Sequence, residues 1–291
     1  MDTSSSIKLL SRIFVDQHAT MKRSIRIFST ILSLLFLFSC ATQQHTEKAV
    51  SIYQEAIGKY EKKDYYEARK LLEESIPLLK GKREIIHAQF CLAECYFYDK
   101  DYRKSAYYFA EFYKIYPKAQ QAEEALYMQG YSMYLSGPDI RLDTTKMEKA
   151  LQVLRQYKHE YPTGTYQSQV QQYIQDLEDK LSLKAFRNAT LYYKLGHYQA
   201  AVKALHNFQA AYPTAAYCEK AIYIKIKAQY KWAKITMIED PLDSWKAVIQ
   251  YYNELLEQYP NSRYAPRAQA IYEQAIEKVY QLGNYQTITN H

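Results

Sequence analysis

Aromatic side chains recur in pairs seven residues apart: Tyr53 and Tyr60, Phe90 and Phe97 (with Tyr96 beside it), Tyr127 and Tyr134, Phe186 and Tyr193, Tyr223 and Tyr230. Seven residues is close to two helical turns, so on helices each pair shares a face. Tyr and Phe offer large, stiff contact area, and a line of them suits recognition of an extended or amphipathic peptide. The same spacing also serves packing between neighbouring helices. The residue types alone leave both uses open.

Catalytic chemistry has little to stand on. Glu73-Glu74 and Glu123-Glu124 are adjacent carboxylates, which on a helix point about 100° apart and are expected to form solvated faces. No nucleophile–base constellation emerges. The seven His are scattered, with no His-x₃-His or His-Glu-x₂-His pair, so neither metal nor cofactor is expected. Cys91, Cys95 and Cys218 are an odd set once Cys40 is set apart, which argues against a disulfide framework. They read as small buried residues. Asn188-Ala189-Thr190 matches a glycosylation sequon by coincidence on a predicted helix. The expectation is a binding protein and no enzyme.

The elements that carry the rings are delimited by Tyr116-Pro117, Tyr161-Pro162, Tyr212-Pro213 and Tyr259-Pro260, whose prolines are 45, 51 and 47 residues apart. Proline lacks an N–H and disfavours α backbone in the residue before it, so each pair ends a helix. Tyr, Ala, Leu, Lys, Gln and Glu dominate and only seven Gly and eight Pro occur, which predicts an all-α chain. Between the stops lie turns: Lys63-Asp64-Tyr65-Tyr66-Glu67-Ala68, Lys100-Asp101-Tyr102-Arg103-Lys104-Ser105 and Gly196-His197-Tyr198-Gln199-Ala200-Ala201. These resemble tetratricopeptide repeats. A solenoid of five helix pairs plus a C-terminal helix follows: Glu47–Lys62 with Tyr65–Leu79, Arg83–Tyr98 with Tyr102–Tyr116, Gln120–Leu135 with Thr144–Tyr161, Tyr166–Leu195 with Tyr198–Tyr212, Ala216–Lys234 with Ser244–Tyr259, and Tyr264–Tyr280. In that register the ring pairs line the concave face. Longer connections are expected at Ser136–Asp143 and Ile235–Asp243. The expected segments are 47–117 for repeats one and two, 118–162 for repeat three, 163–280 for repeats four and five with the closing helix, and 281–291 as a tail.

The N-terminus carries a targeting signal. Met21 opens a basic stretch (Lys22, Arg23, Arg26), followed by the apolar run Ile27 to Phe38. The run is too short for the roughly 20 residues that span a bilayer and fits a signal peptide at 21–39. Residues 1–20 then precede the true start. Leu37-Phe38-Ser39-Cys40 resembles a lipobox, with Cys40 carrying diacylglycerol and a fatty acyl chain and 40–46 serving as a tether of at most about 25 Å. Losing the leader lowers the net charge from +7 to +4 (33 Lys and Arg against 29 Asp and Glu), which removes the main support for nucleic-acid binding.

The lipobox, the repeats and the Tyr-Pro endings together resemble one family, component D of the outer-membrane β-barrel assembly machinery (BamD). The motifs are Tyr161-Pro162-Thr163-Gly164-Thr165-Tyr166, Tyr192-Tyr193-Lys194-Leu195-Gly196, Tyr212-Pro213-Thr214, and Asp143-Thr144 with Ala150-Leu151. The resemblance implies a lipid-anchored, non-enzymatic scaffold on the periplasmic face of the outer membrane. It implies that N-terminal repeats recognise targeting peptides of unfolded barrel proteins, and that C-terminal repeats dock POTRA domains of a BamA-like subunit beside other assembly lipoproteins. Ile76-Pro77-Leu78 departs from the family's Tyr-Pro-x-Gly ending at repeat one. The alternative is a different tetratricopeptide envelope lipoprotein, an adaptor in peptidoglycan synthesis or division.

Overall fold

The computed structural model describes residues 47–137, 144–235 and 241–289. The expected leader, Cys40 and the tether lie outside them, as do residues 138–143 and 236–240 of the two long connections. Among the described residues the chain is all α. Helix α1 spans 47–61. It is followed by α2 (Tyr65–Ser75), α3 (Glu84–Tyr98), α4 (Tyr102–Ile115), α5 (Ala122–Leu135), α6 (Thr145–Glu160) and α7 (Gln167–Lys194). The last four are α8 (Tyr198–Ala211), α9 (Cys218–Ile235), α10 (Pro241–Gln258) and α11 (Ala265–Thr289). Odd-numbered helices are the A helices of the expected pairs and even-numbered ones the B helices. The helices fall into two compact units, one reaching Ser132 and the other beginning at Met133, with the boundary inside α5.

The Tyr-Pro stops share one geometry. Tyr116, Tyr161 and Tyr212 leave the helix at φ −124°, −122° and −134°, as a residue before proline must. Each still donates its N–H to the carbonyl four residues back, and Tyr259 does the same to Leu255. The four Tyr carbonyls then accept from Ala119, Gly164, Ala215 and Ser262 at 2.9–3.1 Å. Proline thus sits second in a hydrogen-bonded turn, where its fixed φ is already correct. At the end of α2, Ile76-Pro77 gives instead a single 3₁₀ turn, Ile76–Leu79.

Three A-to-B turns are also alike. Lys63, Lys100 and Gly196 take the left-handed conformation at φ 62°, 62° and 81°. The next residues, Asp64, Asp101 and His197, donate back to Lys59, Tyr96 and Tyr192 at 2.9–3.0 Å. This is the Schellman closure of a helix, normally built on glycine. Two helix ends differ from expectation. Helix α10 starts at Pro241, where a first-turn proline loses no helical hydrogen bond. Helix α11 continues past Tyr280 to Thr289, carrying Gly283 within it.

In the first unit α2 packs on α3 and α3 on α4. Ala49 and Ala56 of α1 join Ala68, Leu72, Cys91, Leu92 and Cys95 in one cluster, and Phe90, Phe109, Phe112 and Ala125 form another. In the second unit each helix from α6 to α11 packs on the next, and α9 also touches α7 and α11. Its core holds Ile222, Ile226, Trp245, Val248 and Leu255. The 28-residue α7 buries Val170, Ile174, Leu177 and Leu181 in its first half and Phe186 and Ala189 in its second.

Lys225, 1 % exposed, lies among these apolar residues. Its ammonium reaches both oxygens of Glu254 at 2.9 and 2.8 Å and sits 4.5 Å from the Tyr251 ring centroid. Gln209 donates to the same carboxylate at 3.0 Å. Burial lowers the Lys225 pKa, while Glu254 works against that shift. Satisfied in this way, a buried ion pair is tolerated, but losing one partner is costly.

Candidate functional site

The ring pairs fall on the A helices as expected. In each described case the second ring of a pair reaches the next A helix. In the first unit the Tyr60 hydroxyl donates to Glu94 of α3 at 2.9 Å, and Phe97 of α3 lies 5.6 Å from Tyr131 of α5. In the second unit Tyr134 stacks on Tyr173 at 4.7 Å and donates to Asp176 at 2.9 Å. Tyr193 lies under the Lys227 ammonium of α9 at 5.2 Å, and Tyr230 donates to Gln274 of α11 at 2.6 Å. Within each unit the rings therefore form a ladder that couples successive A helices.

First rings are more varied. Tyr53 shares a 2.8 Å hydrogen bond with His87 Nδ1 and meets that ring edge-on. Phe90 is buried against Phe109 and Phe112, and Phe186 against Phe208 and Tyr217. Tyr127 is buried and stacks on Tyr131. Tyr223 stacks on Tyr264 at 4.9 Å. Phe90, Tyr127 and Phe186 are thus core residues. Tyr53, Tyr60, Phe97, Tyr134, Tyr193, Tyr223 and Tyr230 keep one side open and can still meet a ligand.

Acids sit on the ladder in both units, Glu94 beside Tyr60 and Asp176 beside Tyr134. In the first unit burial is the largest cause raising the Glu94 carboxyl to about 7; the Tyr60 hydrogen bond opposes it and Glu124 adds to it. Tyr60 is itself pushed above its ordinary range, first by burial and then by Glu94. Glu123 and Glu124 are half-buried on α5, so the expected solvated face is corrected there: Glu124 acts on Glu94 and Tyr98. Glu73 is exposed, yet it accepts from the Tyr96 hydroxyl and lies 3.7 Å from Arg69.

Cys91, Cys95 and Cys218 are buried free thiols. Burial raises all three, Cys95 to about 12, which leaves them unreactive. His87 lies 3.5 Å from the Cys91 sulfur through Nε2. Among the described residues no cluster of three or more His, Cys, Asp or Glu could hold a metal ion.

The ring partners escaped the sequence reading. Tyr53 to His87 and Tyr60 to Glu94 are both 34 residues apart, and the same offset joins Phe186 to Lys220 and Tyr193 to Lys227. An offset of 34 residues would have found these four partners, but not Asp176 or Gln274, which lie 42 and 44 residues beyond Tyr134 and Tyr230. Next to Tyr230 a cavity of about 460 Å³ is lined by Lys234, Trp245, Gln274, Lys278 and Leu282, among others. It can seat an apolar side chain beside ammonium groups.

Comparisons with known proteins agree with the motif reading. A protein of Aquifex aeolicus (strain VF5), provisionally named outer membrane protein assembly factor BamD, is 26% identical over 190 residues. The match covers 63% of this chain and 62% of that protein, so it spans less than two thirds of the relative. Outer membrane protein assembly factor BamD of Neisseria meningitidis (serogroup A, serotype 4A, strain Z2491) is 24% identical over 234 residues, 74% of this chain and 88% of its own length. Among solved structures, the P58(IPK) TPR domain aligns at TM-score 0.40 and 17% identity over 84% of this chain and 61% of that one. The TPR2AB domain of yeast Sti1 aligns at 0.36 and 13% over 79% and 98%. These likenesses are too loose to bear on the fold, which rests on the helix packing above. No helix among the described residues is long and apolar enough to cross a membrane. The model of the family YfiO, outer membrane lipoprotein, matches residues 45–241 and 192–282, and this chain therefore belongs to that outer membrane lipoprotein family.

Proposed function

We propose that this protein is a non-catalytic, lipid-anchored scaffold in the assembly and insertion of outer-membrane β-barrel proteins. The observation that carries the reading is the family match across both units, joined to relatives named for that task. Cys40 provides the anchor through its diacylglycerol and acyl chains, on the periplasmic face. Two or more chains hold a protein to a bilayer stably. The half-open rings Tyr53, Tyr60 and Phe97 of the first unit contact targeting peptides of unfolded barrel proteins. The second unit docks POTRA domains of a BamA-like subunit, in company with other assembly lipoproteins.

Stiff, one-side-open rings support the peptide role, because they lose little freedom on contact. Affinity purification of the tagged full chain from membranes in mild detergent tests the reading. Recovery of a BamA-like barrel protein is expected. Recovery of a cell-wall synthase without any such barrel would overturn it in favour of an envelope adaptor.

A further inference from the structure

Helix α9 buries Ala221, Ile222, Lys225, Ile226, Ala228, Gln229 and Ala233. Its other face carries Lys220, Tyr223, Lys227, Tyr230, Lys231 and Lys234, spaced so that they form a single stripe. The stripe is about 21 Å long at 1.5 Å per residue. Three of its lysines lie over rings: Lys220 over Phe186 at 5.8 Å, Lys227 over Tyr193 and Tyr223 at 5.2 and 5.5 Å, and Lys234 over Tyr230 at 5.3 Å. Such contacts hold an ammonium in place without neutralising it.

Carboxylates are missing from this pattern. Lys225, on the buried face, has Glu254. Among the described residues no acid lies within ion-pair distance of Lys220, Lys227, Lys231 or Lys234, although exposed lysines elsewhere, such as Lys70, Lys180 and Lys246, have one. Glu277 lies at one end, lining the cavity with Lys234 and Lys278. Three ammonium groups seated on rings, with no ion-pair partner among the described residues and interleaved with tyrosine faces, match an anionic chain more than an apolar one.

We propose that the α9 stripe is a docking site for an extended acidic peptide segment. Its carboxylates meet Lys220, Lys227 and Lys234, which stand about 10 Å apart along the helix, and its backbone lies over Tyr223 and Tyr230. The adjoining cavity offers a place for an apolar side chain that follows the acids. This use of α9 is independent of which partner the second unit docks during barrel assembly.

The probe is a fluorescent peptide of four Glu-Pro-Pro triplets, whose polyproline II rise of about 3.1 Å per residue repeats a carboxylate every ~9 Å. Fluorescence anisotropy with the full chain carrying Cys40→Ser, so that lipid plays no part, should show saturable binding that weakens with salt. The Lys-Pro-Pro counterpart should not bind. Lys220→Glu with Lys227→Glu should weaken binding at least tenfold with an unchanged melting temperature. Lys203→Glu, an exposed lysine on α8, should change it less than twofold. Absence of saturable binding, or equal loss from Lys203→Glu, would overturn the proposal.

Discussion

The two units use the same ring ladder, with partners of opposite charge at one rung of each. Tyr60 in the first meets Glu94, and Tyr193 in the second meets Lys227, each partner 34 residues further on. A tyrosine hydroxyl donating to a half-buried carboxylate is an internal contact, spent on holding two helices together. A ring beneath an ammonium leaves the charge free to meet something else. One repeat frame thus pairs the polar atom of Tyr60 internally in the first unit, leaving its ring surface for apolar contact, and leaves the charge of Lys227 open in the second.

The largest effect that sharpens this contrast lies at the buried charge of the second unit. Glu254→Ala strands the Lys225 ammonium and should cost about 3–5 kcal/mol, read from urea unfolding. Lys225→Met combined with Glu254→Gln should recover most of that loss. Next comes pH. Folded Glu94 keeps its proton to about pH 7, whereas the unfolded group releases it near its ordinary 4.5. The folded state binds more protons between those values, so this contribution is full below about pH 4.5 and lost as pH rises through 7. The loss should amount to about 1–2 kcal/mol after solvent screening. Glu94→Gln should flatten that slope in a series of melting curves, and a slope that survives would detach Glu94 from the stability of the first unit.

Smaller effects divide the units in the same way. Tyr60→Phe removes a hydrogen bond to a carboxylate and should cost about 1 kcal/mol, while Tyr193→Phe should stay within about 0.5 kcal/mol. Equal costs would break the contrast. The A-to-B turns differ too: the first unit forces Lys63 and Lys100 into left-handed backbone where the second uses Gly196. Lys63→Gly or Lys100→Gly should stabilise by about 0.5–1 kcal/mol, and Gly196→Ala should destabilise by about 1 kcal/mol, all measurable by thermal unfolding.

Helix ends were legible because proline and the Lys/Gly-Asp/His turns act locally: the hydrogen bonds they break or close lie within five residues. The ring pairs were legible because seven residues is a helical period. Partners were harder. Glu94 and Lys227 are ordinary surface residues in one dimension, and only stacking one A helix on the next turns the first into a half-buried acid. Lys225 was invisible for a related reason, since a lysine on a buried face announces itself only once Glu254 and Tyr251 are brought to it. Helix α11 overran its expected end because Gly283 sits within a turn that continues, where glycine costs about 1 kcal/mol but does not terminate.

The most direct test compares Tyr60→Leu with Tyr193→Leu, measuring affinity for the Glu-Pro-Pro peptide beside the urea midpoint of each chain. Tyr60→Leu should lower the midpoint and leave peptide affinity unchanged. Tyr193→Leu should weaken affinity about threefold or more, because Lys227 loses its seat, while the midpoint moves little. If both variants lose stability alike with peptide affinity untouched, the rings are packing devices throughout, and the division between the two units fails.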